Sequence, residues 1–385
     1  MCSRLGQPVR PISRPILALG ADLKNAVTLV VDGQAFVSQH IGDLDYYQSL
    51  RAFQETIHDL ISMYEVRWDD LLVVHDLHPQ YASTVHAAAL PSAETHSVQH
   101  HRAHIASVLA ERSEWIKRVA GVSFDGTGYG DDGAIWGGEI FVGSVEEGFE
   151  RVAHLHQAVL AGGDAAAECP VQAAAGFLAQ LDGLPDFGGA PFSFPPRHRN
   201  ALELIRKDVR TFPTTSMGRL FDAAAALMGF TRDITFEGQA AIWLEQLARS
   251  APLREGYPFP FAGGQLDFRP LLHGVIEDRL RGRDMREIAR AFQRGVALGL
   301  HNALATITQT YDLDTVVLSG GVFQNELLLE DLKTLLNDGP LQVWTNRMVP
   351  ANDGGISLGQ AALAAFSQFD RAKQPRDSAE EPVHA

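Results

Sequence analysis

The sequence is poor in cysteine and in basic residues, and it has no long apolar run. With only Cys2 and Cys169, it can form neither a disulfide framework nor a CxxC zinc site, so we expect a reducing, cytoplasmic compartment. The net charge of −15 argues against a nucleic-acid partner, because such proteins bind phosphates through Lys and Arg. No segment approaches the roughly 18 apolar residues that a membrane span needs, which argues against a membrane protein.

Several common catalytic motifs are also missing. The sequence has no GxxxxGK[ST] stretch, and no GxGxxG opens a helix in a βαβ unit, so neither a P-loop nor a dinucleotide fingerprint is indicated. No GxSxG surrounds a serine, and Cys169 precedes Pro170 without an adjacent base. A covalent hydrolase is therefore disfavoured. Nucleotide-assisted or metal-assisted group transfer remains.

The length and the hydrophobic pattern indicate an α/β protein of two lobes. A chain of 385 residues exceeds one ordinary core, and a cleft between lobes is then the expected ligand site. Short β-rich runs open the chain as a meander, residues 45–64 have helical periodicity, and residues 71–75 are typical of a buried strand. A second meander begins at residue 119, about 100 residues after the first, which suggests a duplicated fold.

We divide the chain on this basis into lobes and tails. Residues 369–385 are charged, and we expect them to be disordered. A C-terminal helix at 355–368 is expected to pack back on the first lobe. The segments are an N-terminal tail (1–14), lobe I (15–118), lobe II (119–354, with an insertion at about 146–215) and the C-terminal tail (369–385).

Histidines crowd into one part of the chain, and their spacing suits a metal ion. If residues 96–112 form a helix, His100 and His104 lie one above the other, with β-carbons about 5–6 Å apart. Asp125 and Asp353 stand next to glycines at strand or helix ends. Two imidazoles and two carboxylates make a mixed site suited to iron, zinc or manganese. The spacing alone also fits histidines with ordinary structural roles in a helix.

Two further patterns lie at the ends of predicted strands. His75 and His78 could orient a substrate or shuttle a proton there, or they could merely finish a loop. Glycine-bearing turns at 20–24, 125–130 and 320–321 each follow a strand, and glycines let backbone amides approach phosphate oxygens closely. One such turn is usually only a tight turn, but three in order favour a phosphate site.

These motifs, taken together and in order, resemble the C-terminal carbamoyl-transfer domain of HypF, the maturation protein that helps make the cyanide ligands of nickel-iron hydrogenases. The resemblance covers about residues 15–365. It rests on LALGADLKN (17–25), HIGDL (40–44), HDLHP (75–79), QHHRAH (99–104), FDGTGYG (124–130), WGGE (136–139), GGDAA (162–166), SMGRLFD (216–222), FEGQAA (236–241), LSGGVFQN (318–325) and NDGG (352–355).

The resemblance implies an actin-like, sugar-kinase-like fold of two lobes, with ATP or carbamoyl adenylate, and Mg, in the cleft. It places a divalent metal, iron or zinc, on the four residues that the spacing already suggested, which are His100, His104, Asp125 and Asp353. Nucleotide-handling residues carry over onto Lys24, Gly126, Thr127, Gly128, Gly320, Gly321 and Asn325, with Gly218 and Asp222 near the ribose. The candidate catalytic residues are His75, His78 and Lys24.

The function implied is a carbamoyltransferase. It would pass a carbamoyl group, activated from carbamoyl phosphate as carbamoyl adenylate, to the C-terminal cysteine of a HypE-like partner. Full-length members begin with an acylphosphatase-like domain, zinc fingers and an adenylate-forming domain, so we expect this chain to be a fragment or a naturally short form. One alternative is an O-carbamoyltransferase or a tRNA threonylcarbamoyl transferase of the same fold, although the acidic composition disfavours the tRNA enzyme. Another alternative is a non-catalytic nucleotide-binding scaffold.

Overall fold

The computed structural model describes residues 2–3, 14–92, 94–163, 165–337 and 339–373, which form two mixed β-sheets with helices packed on them. The first sheet has the strand order β1-β4-β3-β2-β5-β6. In it, β2 to β4 form an antiparallel meander, and β5 and β6 continue parallel to β2. Its strands are β1 (Cys2–Ser3), β2 (Ile16–Ala18), β3 (Thr28–Val31), β4 (Gln34–Val37), β5 (Leu72–Asp76) and β6 (Glu94–Val98).

The second sheet has the order β12-β13-β9-β8-β7-β14-β15. An antiparallel meander of β7 to β9 is again followed by two strands, β14 and β15, that run parallel to its first strand. Its strands are β7 (Val119–Tyr129), β8 (Ile135–Ser144), β9 (Gly148–Leu155), β10 (Ala158–Ala161), β11 (Thr211–Thr214), β12 (Phe261–Ala262), β13 (Gln265–Leu266), β14 (Thr315–Ser319) and β15 (Gln342–Thr345).

The two sheets therefore share one plan, and the predicted two-lobed α/β fold with duplicated meanders is confirmed. Parallel neighbours need a long crossover connection, and helices supply it in both sheets. The helices are α1 (Tyr47–Met63), α2 (Ala82–Ala89), α3 (His100–Ala110), α4 (Ala165–Glu168), α5 (Pro170–Leu178), α6 (Pro196–Arg206), α7 (Met217–Leu227), α8 (Gln239–Arg249), α9 (Arg269–Leu280), α10 (Met285–Thr310), α11 (Glu326–Asn337) and α12 (Ile356–Lys373). Short 3-10 helices occupy Trp68–Asp70, Gly321–Gln324 and Asp353–Gly355.

Helix α3 lies between the two sheets and packs against α12. Its apolar residues share one buried cluster with strands of both sheets and with α12. The backbones meet at Gly359, where a Cβ would lie closer than 3.0 Å to the carbonyl oxygen of Ala103. On the other side of α3, a Cβ at Gly121 would lie 2.6 Å from Ile105. This close packing fixes α3 relative to both the second sheet and the last helix.

Two local predictions differ from the structure. The helix expected over residues 96–112 begins only at His100, because residues 94–98 pair with β5 as strand β6. The side chain of Gln99 caps the helix by accepting from the backbone N–H of Arg102 at 3.0 Å. The turn expected at 125–130 is not a turn, because β7 continues through it to Tyr129 with an irregularity between Phe124 and Gly128. The chain reverses after that, at 130–133.

The chain ends were predicted to be tails, and most of their residues lie outside the described ranges. In the N-terminal tail, residues 2–3 pair with β4, whereas residues 4–13 are not among those described. Helix α12 continues to Lys373, past the start of the predicted tail at 369, and residues 374–385 are again outside the described part. No helix within the described ranges is long and apolar enough to cross a membrane.

Candidate metal centre

The structure brings His100, His104, Asp125 and Asp353 together from three separate elements. The two histidines are one turn apart on α3, Asp125 lies in β7, and Asp353 begins a 3-10 helix just before α12. One donor atom from each residue lies within 4.8 Å of all the others. All four residues are buried. The i, i+4 spacing was enough to place the histidines on one face, but only the fold brings the acids to them.

The contacts within this group converge on the Nε2 atoms of the two imidazoles. Oδ2 of Asp125 is 2.9 Å from Nε2 of His104 and 3.4 Å from Nε2 of His100. Oδ1 of Asp353 is 3.6 Å from both Nε2 atoms. Each histidine therefore presents the same ring nitrogen to both carboxylates.

The remaining oxygen of Asp125 is occupied by backbone groups. Oδ1 accepts hydrogen bonds from the N–H of Gly126 at 2.8 Å and of Gly321 at 3.2 Å. Because Gly321 follows β14 and Asp125 lies in β7, the bond from Gly321 also joins these two neighbouring parallel strands at the site. The carboxylate is held in one orientation, with Oδ2 directed at the histidines.

Asp353 is held against α3 by the segment that precedes it. Glu111, at the C-terminal end of α3, accepts hydrogen bonds at 2.7–2.8 Å from the backbone N–H groups of residues 347–349. Asn352 caps the 3-10 helix by accepting from the N–H of Gly354 at 3.1 Å. The helix that carries the histidines thus also anchors the loop that carries Asp353.

Asp76 orients His100 from behind. Its Oδ2 is 2.8 Å from Nδ1 of His100, and the carboxylate is fully buried at the end of β5. A carboxylate that accepts from Nδ1–H leaves Nε2 of the same ring free as a donor to a cation, which is the usual arrangement behind metal-binding histidines. The sequence drew attention to the histidines beside Asp76 and not to Asp76 itself.

Attraction between the histidines and the carboxylates shifts the pKa values of this group more than burial does. Burial acts to lower the pKa of His100, but Asp76 and the other carboxylates outweigh it and raise that pKa well above its ordinary value. Burial likewise lowers the pKa of His104, and its bonds to Asp125 and Asp353 more than reverse this. Burial would raise the pKa of Asp125, yet both imidazoles hold it well below its usual range. A cation that binds here must displace the protons on the two Nε2 atoms.

The donor set fits a divalent transition metal. Two imidazole nitrogens and two carboxylate oxygens suit iron, zinc or manganese, and leave room for a further ligand in an expanded coordination shell. Iron and zinc remain the predicted candidates.

His75 and His78 lie next to this group without belonging to the set of donors found in the described residues. Nδ1 of His75 bonds the carbonyl oxygen of Asp76 at 2.8 Å, and the backbone N–H of His78 donates to Oδ1 of Asp76 at 2.9 Å. The ring of His78 stacks on Tyr81, with centroids 4.2 Å apart. Both residues reach the centre through Asp76, and a catalytic role for them stays a prediction.

Lys24 forms an ion pair with Glu237 from the other lobe. Lys24 follows β2 with a left-handed φ of 49°, and Glu237 ends the loop before α8. Burial would lower the pKa of Lys24, but Glu237 outweighs it, with Asp353 and Asp125 contributing at longer range, and the pKa is raised. Burial raises the pKa of Glu237 although Lys24 opposes it. The pair therefore bridges the lobes beside the centre.

The predicted glycines have packing functions of their own. A Cβ at Gly128 would lie closer than 3.0 Å to the buried His101, and one at Gly320, whose φ is +101°, would meet the carbonyl of Phe124 equally closely. A Cβ at Gly321 would lie 2.8 Å from Oδ1 of Asp125. Gly126 has no such neighbour closer than 3.4 Å. The glycine pattern is thus largely explained by the protein itself, and Gly126 keeps an open face.

The other predicted nucleotide residues lie around Gly126 and at the start of α11. Gly218 is in the first turn of α7, where a Cβ would lie 2.7 Å from Cα of Gly126. Asp222, one turn later, is buried in an ion contact of 3.1 Å with Arg219. Oδ1 of Asn325 accepts from the N–H of Leu328 at 2.9 Å, and its Nδ2 has no hydrogen-bond partner among the described residues. Thr127 is half-buried in β7.

Sequence reasoning missed three charged residues here, which are Asp76, Arg219 and Glu237. All three lie in segments that it did single out, at 75–79, 216–222 and 236–241. Asp76 and Glu237 pair with residues of other elements, whereas Arg219 has its ion contact with Asp222 of the same helix and borders Gly126 of β7.

Comparison with protein-family models gives two matches that together cover most of the chain. Residues 11–111 match the HypF Kae1-like domain, and residues 121–360 match the second subdomain of the carbamoyltransferase Kae1-like domain. The carbamoyltransferase HypF of Synechocystis sp. is 36% identical over 381 residues, which is 92% of this chain and 48% of that protein. A carbamoyltransferase HypF homolog of Cupriavidus necator is 34% identical over 365 residues and 91% of each chain.

Solved structures give the same result. Full-length HypF in a phosphate- and nucleotide-bound form superposes with a TM-score of 0.84 at 36% identity, covering 93% of this chain and 57% of that one. HypF of T. kodakarensis gives a TM-score of 0.82 at 29% identity, covering 94% of this chain and 49% of its own. The chain thus spans about half the length of several of the proteins that it matches.

Proposed function

The chain belongs to the HypF carbamoyltransferase family through its Kae1-like domain, and from that premise we propose that it transfers an activated carbamoyl group in nickel-iron hydrogenase maturation. The donor would be carbamoyl adenylate, formed from carbamoyl phosphate and ATP. The acceptor would be the C-terminal cysteine of a HypE-like partner. The thiolate sulfur would attack the carbamoyl carbon, the bond from that carbon to the phosphate oxygen would break, and AMP would leave.

One observation carries the proposal. His100, His104, Asp125 and Asp353 converge at the junction of the two sheets with their donor atoms within 4.8 Å of one another. Burying so many polar groups together costs folding free energy. Clusters of this kind are concentrated at functional sites. A divalent cation held by these four would supply Lewis-acid polarisation of the carbamoyl or phosphate oxygen.

The chain's own residues would set the geometry for that chemistry. Asp76 fixes the ring of His100, and the amides of Gly126 and Gly321 fix Asp125, so that none of these side chains needs to reorganise during the reaction. Lys24 would stabilise the charge that develops on the leaving phosphate. His75 or His78 would accept the thiol proton.

Transfer by the isolated chain tests this proposal directly. The purified protein would be given synthetic carbamoyl adenylate, iron or zinc, and an acceptor protein with a C-terminal cysteine, and the carbamoylated acceptor would be measured by mass spectrometry. Elemental analysis of the same preparation would identify the bound metal. We expect transfer by the wild type and none by the His100→Ala/His104→Ala variant.

The control is His58→Ala, which removes an exposed histidine of α1 and should leave transfer unchanged. Failure of the metal-loaded wild type to carbamoylate the acceptor would contradict the proposal and favour the nucleotide-binding scaffold.

A further inference from the structure

The face of Gly126 is bordered by a guanidinium group. Within the described residues, a Cβ at this position would have a single neighbour within 4 Å, Nη2 of Arg219 at 3.4 Å. Any ligand atom that rests on the open face of Gly126 would therefore meet Arg219 first.

Arg219 is buried and only partly satisfied. It is 5% exposed in the first turn of α7. Nη1 donates to the carbonyl oxygen of Ala167 at 2.8 Å, whereas Nε has no hydrogen-bond partner in the described part of the chain. A guanidinium carries several N–H donors in a fixed planar fork, and a buried one without acceptors is costly. The side chain thus has unused hydrogen-bonding capacity inside the protein.

Asp222 does not supply the hydrogen bonds that Arg219 lacks. Its Oδ2 is 3.1 Å from Nη2 of Arg219 but lacks hydrogen-bond geometry to any described residue. Burial outweighs the attraction of Arg219 and raises the pKa of Asp222 to about 6. A better-placed acceptor, such as a phosphate oxygen, would therefore find unused N–H donors on Arg219.

The N-terminal end of α7 points at the same place. Its capping residue Ser216 donates to the carbonyl oxygen of Gly126, and Gly218 packs on Cα of Gly126. The amino end of an 11-residue helix carries partial positive charge and favours anions. The helix end and the unsatisfied Arg219 are independent features that both favour a negative ligand.

We propose that Arg219, with the first turn of α7, recognises a phosphate group seated on the open face of Gly126. The proposal rests on the proposed function, in which this phosphate belongs to the adenylate. Arg219 would bind the phosphate from the second lobe, opposite Lys24 of the first lobe. The phosphate of a nucleotide and free phosphate share this chemistry, and separate probes distinguish them.

The test compares AMP, inorganic phosphate and adenosine as ligands by calorimetry. The Arg219→Gln/Asp222→Asn variant is compared with Asp222→Asn, so that the loss of Asp222, which is predicted to lie near the ribose, is common to both and only Arg219 differs. We expect the double variant to bind AMP at least about tenfold more weakly than Asp222→Asn, because a charge-assisted hydrogen bond is lost, while the two variants bind adenosine within about twofold of each other. An Arg219→Lys variant should recover part of the AMP affinity.

The matched control is Arg290→Gln/Asp331→Asn, which removes a buried, bidentate pair between α10 and α11 with bonds of 2.7 and 2.9 Å. Circular dichroism would establish that both double variants are folded. Parallel losses for AMP and inorganic phosphate, or a loss for AMP alone, support the inference and identify the source of the phosphate.

Three results would overturn it: equal losses for AMP and adenosine, an unchanged AMP affinity, or a wild type that binds neither AMP nor phosphate. A wild type that binds AMP through Arg219 but transfers no carbamoyl group would refute the proposed function alone.

Discussion

Nδ1 of His100 donates to Oδ2 of Asp76 at 2.8 Å, and both side chains are completely buried. This bond joins the end of a strand in the first sheet to the helix that lies between the sheets. It keeps a proton on Nδ1 of His100 and leaves Nε2 facing Asp125 and Asp353.

Replacing Asp76 by Asn should weaken metal binding. The amide keeps one oxygen for the backbone N–H of His78, but the nitrogen that replaces Oδ2 cannot accept from Nδ1–H of His100. We expect metal affinity to fall about 10- to 100-fold, measured by competition with a chelating dye. Asp22→Asn is the control, since among the described residues the buried carboxylate of Asp22 bonds only the start of α2. Equal affinity in the Asp76 variant and the wild type would remove Asp76 from the centre.

Alanine at Gly128 should lower the stability of the protein, whereas alanine at Gly126 should lower its affinity for a nucleotide. Gly128→Ala forces a methyl group against His101, and such overpacking should cost about 1–3 kcal/mol of unfolding free energy in urea titrations. Gly126→Ala meets nothing closer than 3.4 Å and should stay within about 0.5 kcal/mol of the wild type. It should nevertheless lower nucleotide affinity, because the methyl group covers the open face. Undiminished affinity in Gly126→Ala would show that nucleotide binds elsewhere.

If Lys24 binds a nucleotide phosphate as proposed, Glu237 competes with that phosphate for Lys24, and Glu237→Gln should tighten ATP binding. The pair is partly exposed, and we expect a gain of about two- to fivefold, consistent with a weak ion pair. Lys24→Met should weaken ATP binding, and the double variant should resemble Lys24→Met. Calorimetry at low and high salt measures all three, with Glu55→Gln, which breaks the exposed Arg51–Glu55 pair of α1, as control. If Glu237→Gln weakened binding as much as Lys24→Met, the pair would instead be a structural clamp.

His198 should make the protein acid-sensitive. It packs against Phe187 and Phe194, and burial lowers its pKa from 6.5 to about 4. The unfolded chain takes up this proton near pH 6.5 and the folded chain only near pH 4, so stability falls as the pH falls between these values. The free energy of unfolding is therefore about 3 kcal/mol lower at pH 4 than at neutral pH.

His198→Leu should remove that part of the pH dependence, as measured by urea unfolding at pH 7, 5.5 and 4.5. The exposed His58 of α1 provides the control, since His58→Ala should leave the slope unchanged. A slope in His198→Leu equal to that of the wild type would mean that the pKa of His198 is the same in the folded and unfolded states.

The features of this molecule that could be predicted are those that depend on the spacing of residues close together in the sequence. The alternation of strands and helices predicted the α/β class, and the chain length and the second meander predicted two lobes. The separation of His100 and His104 placed both on one helical face. The predicted start of that helix, at residue 96, was wrong because β6 pairs with β5 as far as Val98. Helical periodicity does not reveal pairing with a neighbouring strand. Likewise, pairing with β8 keeps residues 125–129 in a strand where glycines suggested a turn.

The charged partners could not be predicted, because each pair joins elements that are distant in the sequence. Asp76 meets His100, and Lys24 meets Glu237, only once the lobes are assembled. Glycine was ambiguous for a different reason. A glycine is required wherever a backbone must come close to something, and the sequence does not say whether that is a phosphate or, as at Gly128, a histidine ring.

The position of Asp353 has a consequence for biosynthesis. When residue 350 has emerged from the ribosome, all described strands of both sheets have been synthesised, since the last of them ends at Thr345. Only three of the four metal donors are present at that point. A cation could be held by the full set only after the start of α12 has emerged and packed on α3. Metal retention would therefore distinguish finished chains from truncated ones that look folded by their secondary structure.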